Sequence, residues 1–222
     1  MLAASTLRFL ALLQKNNTKE WFDKNRKMYE AAKADFLQFT ATIVEKVNGF
    51  DTTLSHIQPK DCVFRINRDV RFSKDKSPYK NNMGMSIAKA GKKGVSAGYY
   101  FHLQPGESFV GGGLYMPMPD DLKKVRQEID YCFEEFSGII TNKKFKSLYG
   151  DLDKSSELSL SRPPKGYNED NPAIAYLKLK SFIAFTALTD EEVTGKNIER
   201  KIIQAFETLH PLVVFLNRGL EG

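Results

Sequence analysis

The 222-residue sequence lacks the usual features of a membrane-spanning, secreted or metal-binding chain. No apolar run approaches the roughly 18 residues that a transmembrane helix needs, and the N-terminal segment has neither a basic start nor an apolar stretch suited to secretion. The only cysteines, Cys62 and Cys132, are far apart, and none of the three histidines lies at ligand spacing from them. We therefore predict a cytoplasmic protein with reduced cysteines, no metal, no cofactor and no membrane association.

The composition is that of a globular protein with a moderate excess of positive charge. Hydrophobic residues make up 41% of the chain, aromatic residues 12% and charged residues 27%, which excludes disordered and low-complexity classes. The 33 Lys and Arg residues against 27 Asp and Glu residues give a formal net charge of +6. This excess is compatible with nucleic acid as a partner, but acidic positions on the predicted helices dilute it.

Hydrophobic periodicity predicts helices towards both ends of the chain, with antiparallel strands between them. Helical stripes occur at 6–15, 18–47, 119–138, 142–149, 171–177 and from 198 onward. Apolar or alternating runs predict strands at 62–66, 83–87, 95–103, 108–115 and 180–188. Short turns join the middle strands, so we expect antiparallel pairing. This order predicts a single α+β domain over 1–222, with a sheet of roughly four to six strands packed by long N- and C-terminal helices.

The most unusual segment is a dense run of cations that reads RINRDVRFSKDKSPYK. It sets six cations against Asp69 and Asp75, namely Arg65, Arg68, Arg71, Lys74, Lys76 and Lys80. Guanidinium groups offer planar donors that suit carboxylate or phosphate, and Lys adds mobile point charges. Phe72 and Tyr79 interrupt the run, so packing should pin the loop and lower the entropy lost on binding. The pattern favours an anion site. The alternative is that both Asp residues pair with cations and the rest is a solvated loop.

Other residues are candidates for the same site. Three glycines lie inside a predicted strand that ends at Tyr115, namely Gly111, Gly112 and Gly113. Glycine there indicates a bulge or a close approach by backbone or ligand, and close packing is the alternative. His102 lies on a neighbouring predicted strand, and it and Asp69 are the candidate acid–base residues if the site is catalytic. A structural role is the alternative for His102.

Three motifs carry a resemblance to a known family: RDVRFSKDKSPYK, VSAGYYFHLQPGESFVGGGLYMP and LSRPPKGY. In this order they are similar to domain of unknown function two-four-six-one, a family of conserved hypothetical proteins, and the resemblance covers nearly the whole chain. The first motif is long and chemically unusual, hence specific. Val70 stands where this family often has Thr, so the hydroxyl group is missing. The resemblance implies a family but assigns no reaction, cofactor or catalytic residue.

Motifs of common enzyme classes are absent, so the function is inferred from the charged segment. The chain has no P-loop, no dinucleotide-binding glycine motif and no nucleophile elbow. We predict a site for a phosphate- or carboxylate-bearing small molecule and leave open whether the protein is an enzyme. The predicted ligand-binding residues are Arg65, Arg68, Arg71, Lys74, Lys76, Tyr79, Lys80, Gly111, Gly112, Gly113 and Tyr115.

Two alternatives use the same segment. The first is nucleic-acid binding, in which further cations would neutralise backbone phosphates, among them Lys92, Lys93, Lys143, Lys144 and Lys146. The second is a structural or interaction module whose charged run is an internal salt-bridge network, with its cations buried and paired.

Overall fold

The computed structural model of the chain describes residues 1–91 and 94–221, so Lys92 and Lys93 lie outside the described residues. Within these residues the strands are β1 (Met83–Ala88), β2 (Gly98–Leu103), β3 (Ser108–Leu114) and β4 (Phe182–Leu188). The helices are α1 (Ala4–Lys15), α2 (Lys19–Lys24), α3 (Arg26–Asn48), α4 (Pro59–Cys62), α5 (Pro119–Tyr131), α6 (Phe133–Thr141), α7 (Lys143–Tyr149), α8 (Ile174–Leu177), α9 (Asp190–Thr194) and α10 (Ile198–Glu221).

The strands form one antiparallel sheet in the order β1-β2-β3-β4, and the long helices α3 and α10 pack against it. The predicted single α+β domain and its sheet are therefore confirmed. That this one domain extends over the whole of 1–222 stays a prediction. None of the helices in the described residues is long and apolar enough to cross a membrane.

The predicted helix over 18–47 is two helices in the structure, α2 and α3. Its start is correct, because the Thr18 hydroxyl oxygen accepts the Trp21 backbone N–H at 3.2 Å and caps α2. It breaks at Asn25, whose φ and ψ of −106° and 17° are not helical. The Asn25 side chain donates to the Trp21 carbonyl at 2.8 Å, so it competes for an acceptor at the end of α2. A similar break at Cys132 divides the predicted helix over 119–138 into α5 and α6.

The strand predicted at 62–66 is wrong. Pro59 occupies the first turn of α4, a position that suits its missing N–H, and this short helix continues to Cys62. After the helix, Val63 forms a single antiparallel bridge with Met85, and the Phe64 N–H donates to the Gly84 carbonyl at 3.1 Å. The segment thus touches β1 without extending the sheet as a full strand.

The chain divides into two compact units, and every strand contributes residues to both. The first unit comprises Met1–Ile87, Tyr100–Val110 and Ala187–Ile203. Within it, Phe36 and Phe39 of α3 lie against Phe101 of β2, with ring centroids 6.3 and 5.8 Å apart. All three rings are buried, so this contact fixes α3 on one face of β2.

The second unit comprises the described residues of Ala88–Tyr99, Gly111–Thr186 and Gln204–Gly222. Within it, Tyr99 of β2 packs against Phe206 of α10 at 5.1 Å between ring centroids. The Tyr99 hydroxyl is hydrogen bonded to His210 Nδ1 at 2.6 Å, which satisfies a polar group in the core.

Candidate functional site

The charged segment folds into a closed loop, here called the basic loop and comprising residues 65–80. The Lys80 N–H donates to the Ile66 carbonyl at 2.8 Å, and the Arg68 N–H donates to the Pro78 carbonyl at 2.9 Å. Between these bonds, Asn67 and Tyr79 form an antiparallel bridge. The entry and exit of the loop therefore lie side by side, and we call this end its base.

Tyr79 attaches the base of the loop to the N-terminal helices. Its N–H donates to Asn17 Oδ1 at 3.1 Å, and Asn17 Nδ2 donates to its carbonyl at 2.8 Å. Its ring stacks on Phe22 of α2, with centroids 3.9 Å apart and planes 14° apart. Tyr79 is only 7% exposed, and this burial raises the pKa of its phenol. Phe72, by contrast, is 96% exposed, so the predicted pinning rests on Tyr79 and not on Phe72.

The two acidic residues of the loop each hold an arginine. Asp69 accepts two bonds from the Arg71 guanidinium, at 2.9 Å from Nε and at 2.6 Å from Nη2. Asp75 accepts the Ser77 N–H at 2.9 Å and the Ser77 hydroxyl at 2.7 Å, and it pairs with Arg68. The hydrogen bonds from Ser77, and then Arg68, lower the pKa of Asp75 to about 2. Arg71 likewise lowers the pKa of Asp69. Both groups are therefore carboxylates at neutral pH.

Two further contacts shape the far end of the loop, which we call its tip. Arg68 is 25% exposed, and its guanidinium donates to the Ser73 hydroxyl and to the Ser77 carbonyl, each at 3.3 Å. Lys76 Nζ donates to the Val70 carbonyl at 3.0 Å. Three of the six cations, Arg68, Arg71 and Lys76, thus have partners inside the loop. Both ion pairs are exposed to solvent, whereas the internal-network alternative expects buried ones.

The other three cations, Arg65, Lys74 and Lys80, form no ion pair within 1–91 and 94–221. Arg65 and Lys74 are exposed, whereas the Lys80 side chain is partly buried. Lys80 Nζ lies 5.5 Å from the centroid of the Phe64 ring. Burial, and then the positive charge of Arg65, lower the pKa of Lys80. The base of the loop therefore brings two cations together without an acidic partner among the described residues.

Beside Lys80, four rings form a group that we call the outer aromatic cluster: Phe64, Tyr100, His102 and Phe109. Phe64 lies edge-on to Tyr100 with centroids 6.2 Å apart, and Tyr100 lies 5.7 Å from Phe109. His102 stacks on Phe109 at 4.7 Å with planes 8° apart. None of the four is fully buried, whereas Tyr99 and Phe101, which alternate with Tyr100 and His102 along β2, are in the core.

A chain of hydrogen bonds fixes the His102 ring. Glu107 accepts the Gln104 amide N–H, so the Gln104 carbonyl oxygen is turned towards His102 Nε2 at 3.0 Å. Nε2 therefore carries the proton, and Nδ1 accepts the Tyr100 hydroxyl at 3.1 Å. Burial lowers the pKa of His102 and raises that of Tyr100, so both are held neutral.

The remaining predicted residues belong to the second unit. A Cβ on Gly111 would lie 2.0 Å from the Ala184 carbonyl oxygen, and one on Gly113 would lie 2.0 Å from the Phe182 carbonyl oxygen. A Cβ on Gly112 would lie 2.1 Å from the Gly98 oxygen. Close approach by neighbouring backbone therefore accounts for the glycines, while their part in ligand binding stays a prediction. Tyr115 is 69% exposed.

Three of the further cations that the nucleic-acid alternative uses lie on α7. Lys146 lies 3.5 Å from Asp151, and Lys143 and Lys144 are exposed. Cys62 and Cys132 are both present as thiols. Over 1–91 and 94–221, His, Cys, Asp and Glu residues form no group of three or more that could hold a metal ion.

Sequence reasoning located the basic loop but missed Phe64, Tyr100 and Phe109. The alternation along β2 could have placed Tyr100 beside His102, because residues two apart share a strand face. The contact of Phe64 with Lys80 had no such signal, since it depends on how the loop folds back on itself.

The structure is thus an α+β protein with a pinned basic loop next to aromatic side chains of its sheet. The chain belongs to the conserved hypothetical protein family DUF2461, whose model matches residues 5–215. No curated protein and no solved structure matches the chain.

Proposed function

We propose that the base of the basic loop binds the anionic group of a small molecule, a phosphate or a carboxylate, through Lys80 and Arg65. The observation that carries the proposal is the Lys80 ammonium, which is partly buried beside a like charge and forms no ion pair in the described part of the chain. A positive charge that loses hydration next to another positive charge is destabilised. A bound anion would relieve both costs and gain charge-assisted hydrogen bonds.

The partnered cations have a different role in this proposal. Arg68 and Arg71 engage Asp75 and Asp69, so much of their hydrogen-bonding capacity serves to shape the tip. A loop that is shaped before the ligand arrives loses less entropy on binding. Lys74, exposed at the tip, adds charge that attracts an anion without belonging to the base.

The two candidate acid–base residues differ in what they offer to a reaction. The lowered pKa of Asp69 makes its carboxylate a weak base at neutral pH. His102 is neutral, but its ring nitrogens are hydrogen bonded to Tyr100 and Gln104. Binding, rather than a particular reaction, is therefore the function that these contacts support best.

Isothermal titration of the full chain with inorganic phosphate and with citrate, at low ionic strength, tests the proposal. We expect Lys80→Gln to weaken binding about tenfold or more, since a charge-assisted hydrogen bond contributes about 1.5 to 3 kcal/mol. Lys74→Gln is the matched control, because it removes the same charge from an exposed position of the same loop. Equal effects of the two variants, or wild-type binding by Lys80→Gln, would contradict the proposal.

A second candidate function, nucleic-acid binding, is favoured by Phe72, an almost fully exposed aromatic ring with Arg71 at 5.8 Å from its centroid. Exposed aromatic rings beside cations stack on unpaired bases. This function would show as an affinity for single-stranded oligonucleotides that falls steeply with salt and is lowered by Phe72→Leu. Lys74→Gln should then reduce the salt dependence of oligonucleotide binding, whereas it should weaken the binding of inorganic phosphate less than Lys80→Gln does.

A further inference from the structure

The outer aromatic cluster is an apolar surface on the sheet that the described part of the chain leaves partly open. Phe64 is 37% exposed, and the rings of Tyr100, His102 and Phe109 are part-exposed, although β2 and β3 provide fully buried positions nearby. Contiguous exposed apolar surface of this kind marks binding sites more often than scattered exposed residues do.

The cluster is also rigidly built. A Cβ on Gly84 of β1 would lie 2.7 Å from the Tyr100 hydroxyl oxygen. The Tyr100 side chain therefore occupies the space that the absence of a side chain at Gly84 provides. The hydrogen bonds from Tyr100 through His102 and Gln104 to Glu107 then hold the rings in place. Such a surface needs little ordering when a ligand binds.

Phe64 joins this surface to the base of the basic loop. Its ring lies 6.2 Å from that of Tyr100 and 5.5 Å from Lys80 Nζ. The surface of aromatic rings therefore ends, at Phe64, beside the Lys80 ammonium, which lies near the positive charge of Arg65 and forms no ion pair within the described residues. The complementary ligand has an aromatic ring at one end and a negative charge a few bonds away.

We infer that the ligand of the proposed anion site is a nucleoside monophosphate, with its base packed on the outer aromatic cluster and its phosphate bound by Lys80 and Arg65. This inference rests on the proposed function, because the phosphate occupies the anion site described above. The base gains contact area on the aromatic rings, and this type of contact tolerates any base because every base has a π-face.

The hydrogen bonds within the cluster also predict the specificity. Both ring nitrogens of His102 and the Tyr100 hydroxyl proton are engaged within the cluster, so these groups are not available to read the edge of a base. We therefore expect purine and pyrimidine nucleotides to bind with similar affinity, apart from the larger stacking area of a purine.

Titration calorimetry of the full chain with AMP, CMP, ribose 5-phosphate and adenosine tests the inference. We expect AMP and CMP to bind within about tenfold of each other. Ribose 5-phosphate should bind at least about fivefold more weakly than AMP, which corresponds to the low end of the stacking contribution of a base, about 1 kcal/mol. Adenosine should also bind more weakly than AMP. Phe64→Leu should weaken AMP but leave ribose 5-phosphate unchanged, whereas Lys80→Gln should weaken both. Phe72→Leu, at the exposed tip, is the matched control for loss of a ring and should change neither.

The outcomes separate this inference from the proposed function. If ribose 5-phosphate and AMP bind equally, both sensitive to Lys80→Gln, the anion site stands and the nucleotide inference fails. If none of the phosphates binds, the nucleotide inference fails, and if citrate does not bind either, the proposed anion site fails with it. If Phe72→Leu rather than Phe64→Leu weakens AMP, the cluster is not the base site. A single-stranded oligonucleotide that binds far more tightly than AMP, with steep salt dependence, would replace the mononucleotide by nucleic acid.

Discussion

Two of the contacts that attach the basic loop to the N-terminal helices come from one side chain, Asn17. Its amide satisfies the N–H of Tyr79 at 3.1 Å and the carbonyl of Tyr79 at 2.8 Å. Asn17→Ala removes both bonds and leaves two groups of a buried residue without partners. With about 0.5 to 1.5 kcal/mol for each bond, we expect the free energy of unfolding to fall by about 1 to 3 kcal/mol.

Urea unfolding followed by the fluorescence of Trp21, the only tryptophan, measures this loss. Asn16→Ala is the matched control, because the neighbouring Asn16 side chain makes one local bond, to the Leu12 carbonyl at 2.9 Å, at an exposed position. We expect that control to cost less than about 1 kcal/mol. If the two variants were equally stable, Asn17 would not anchor the loop, and the pre-shaped site described above would lose its main support.

Two further predictions concern the glycine run and the loop acids. Gly113→Ala should destabilise the fold by at least about 3 kcal/mol, because φ is +117° and the new Cβ would meet the Phe182 carbonyl at 2.0 Å. A Cβ on Gly138 of α6 would meet open space, and alanine has the higher helix propensity. In urea unfolding Gly138→Ala should therefore leave the free energy of unfolding unchanged or raise it by up to about 1 kcal/mol. Because the pKa of Asp75 is lowered to about 2 from 3.8, its stabilising effect should be complete above 3.8 and disappear as the pH falls towards 2. Asp75→Asn should flatten this part of the curve of stability against pH, and an unchanged slope would contradict the assigned hydrogen bonds.

Local patterns predicted most of the secondary structure because each depends on neighbours in sequence. The predicted helix start at Thr18 is such a case, because its cap bonds a backbone N–H only three residues away. The alternation at Met83, Met85 and Ile87 corresponds to buried positions of β1, since one face of the strand packs in the core.

The secondary-structure predictions were wrong where a side chain competed with the helical backbone hydrogen bonds, or where a predicted strand had no partner strand. The helical stripe continues in phase across Asn25, so periodicity alone cannot show that its amide ends α2. The run from Cys62 to Ile66 is apolar enough for a strand, but a strand needs a partner along its length. In the structure this segment forms a single bridge with β1, at Met85. Cys62, the first residue of the predicted strand, is the last residue of α4, the helix that begins at Pro59.

The charged segment shows why a pattern of charges leaves its function open. From the sequence alone, an anion site and ion pairing within the loop were alternative interpretations of the same charges. In the structure the ion pairs of Arg68 and Arg71 lie towards the tip, while Arg65 and Lys80 lie at the base with no acidic partner in the described part of the chain. Pairing at the tip stiffens the loop that carries the other two cations, so the two interpretations describe different parts of one segment. Which cation pairs with which acidic residue depends on how the chain folds between Ile66 and Lys80, whose backbones are joined by a hydrogen bond. The order of the charges in the sequence does not contain that information.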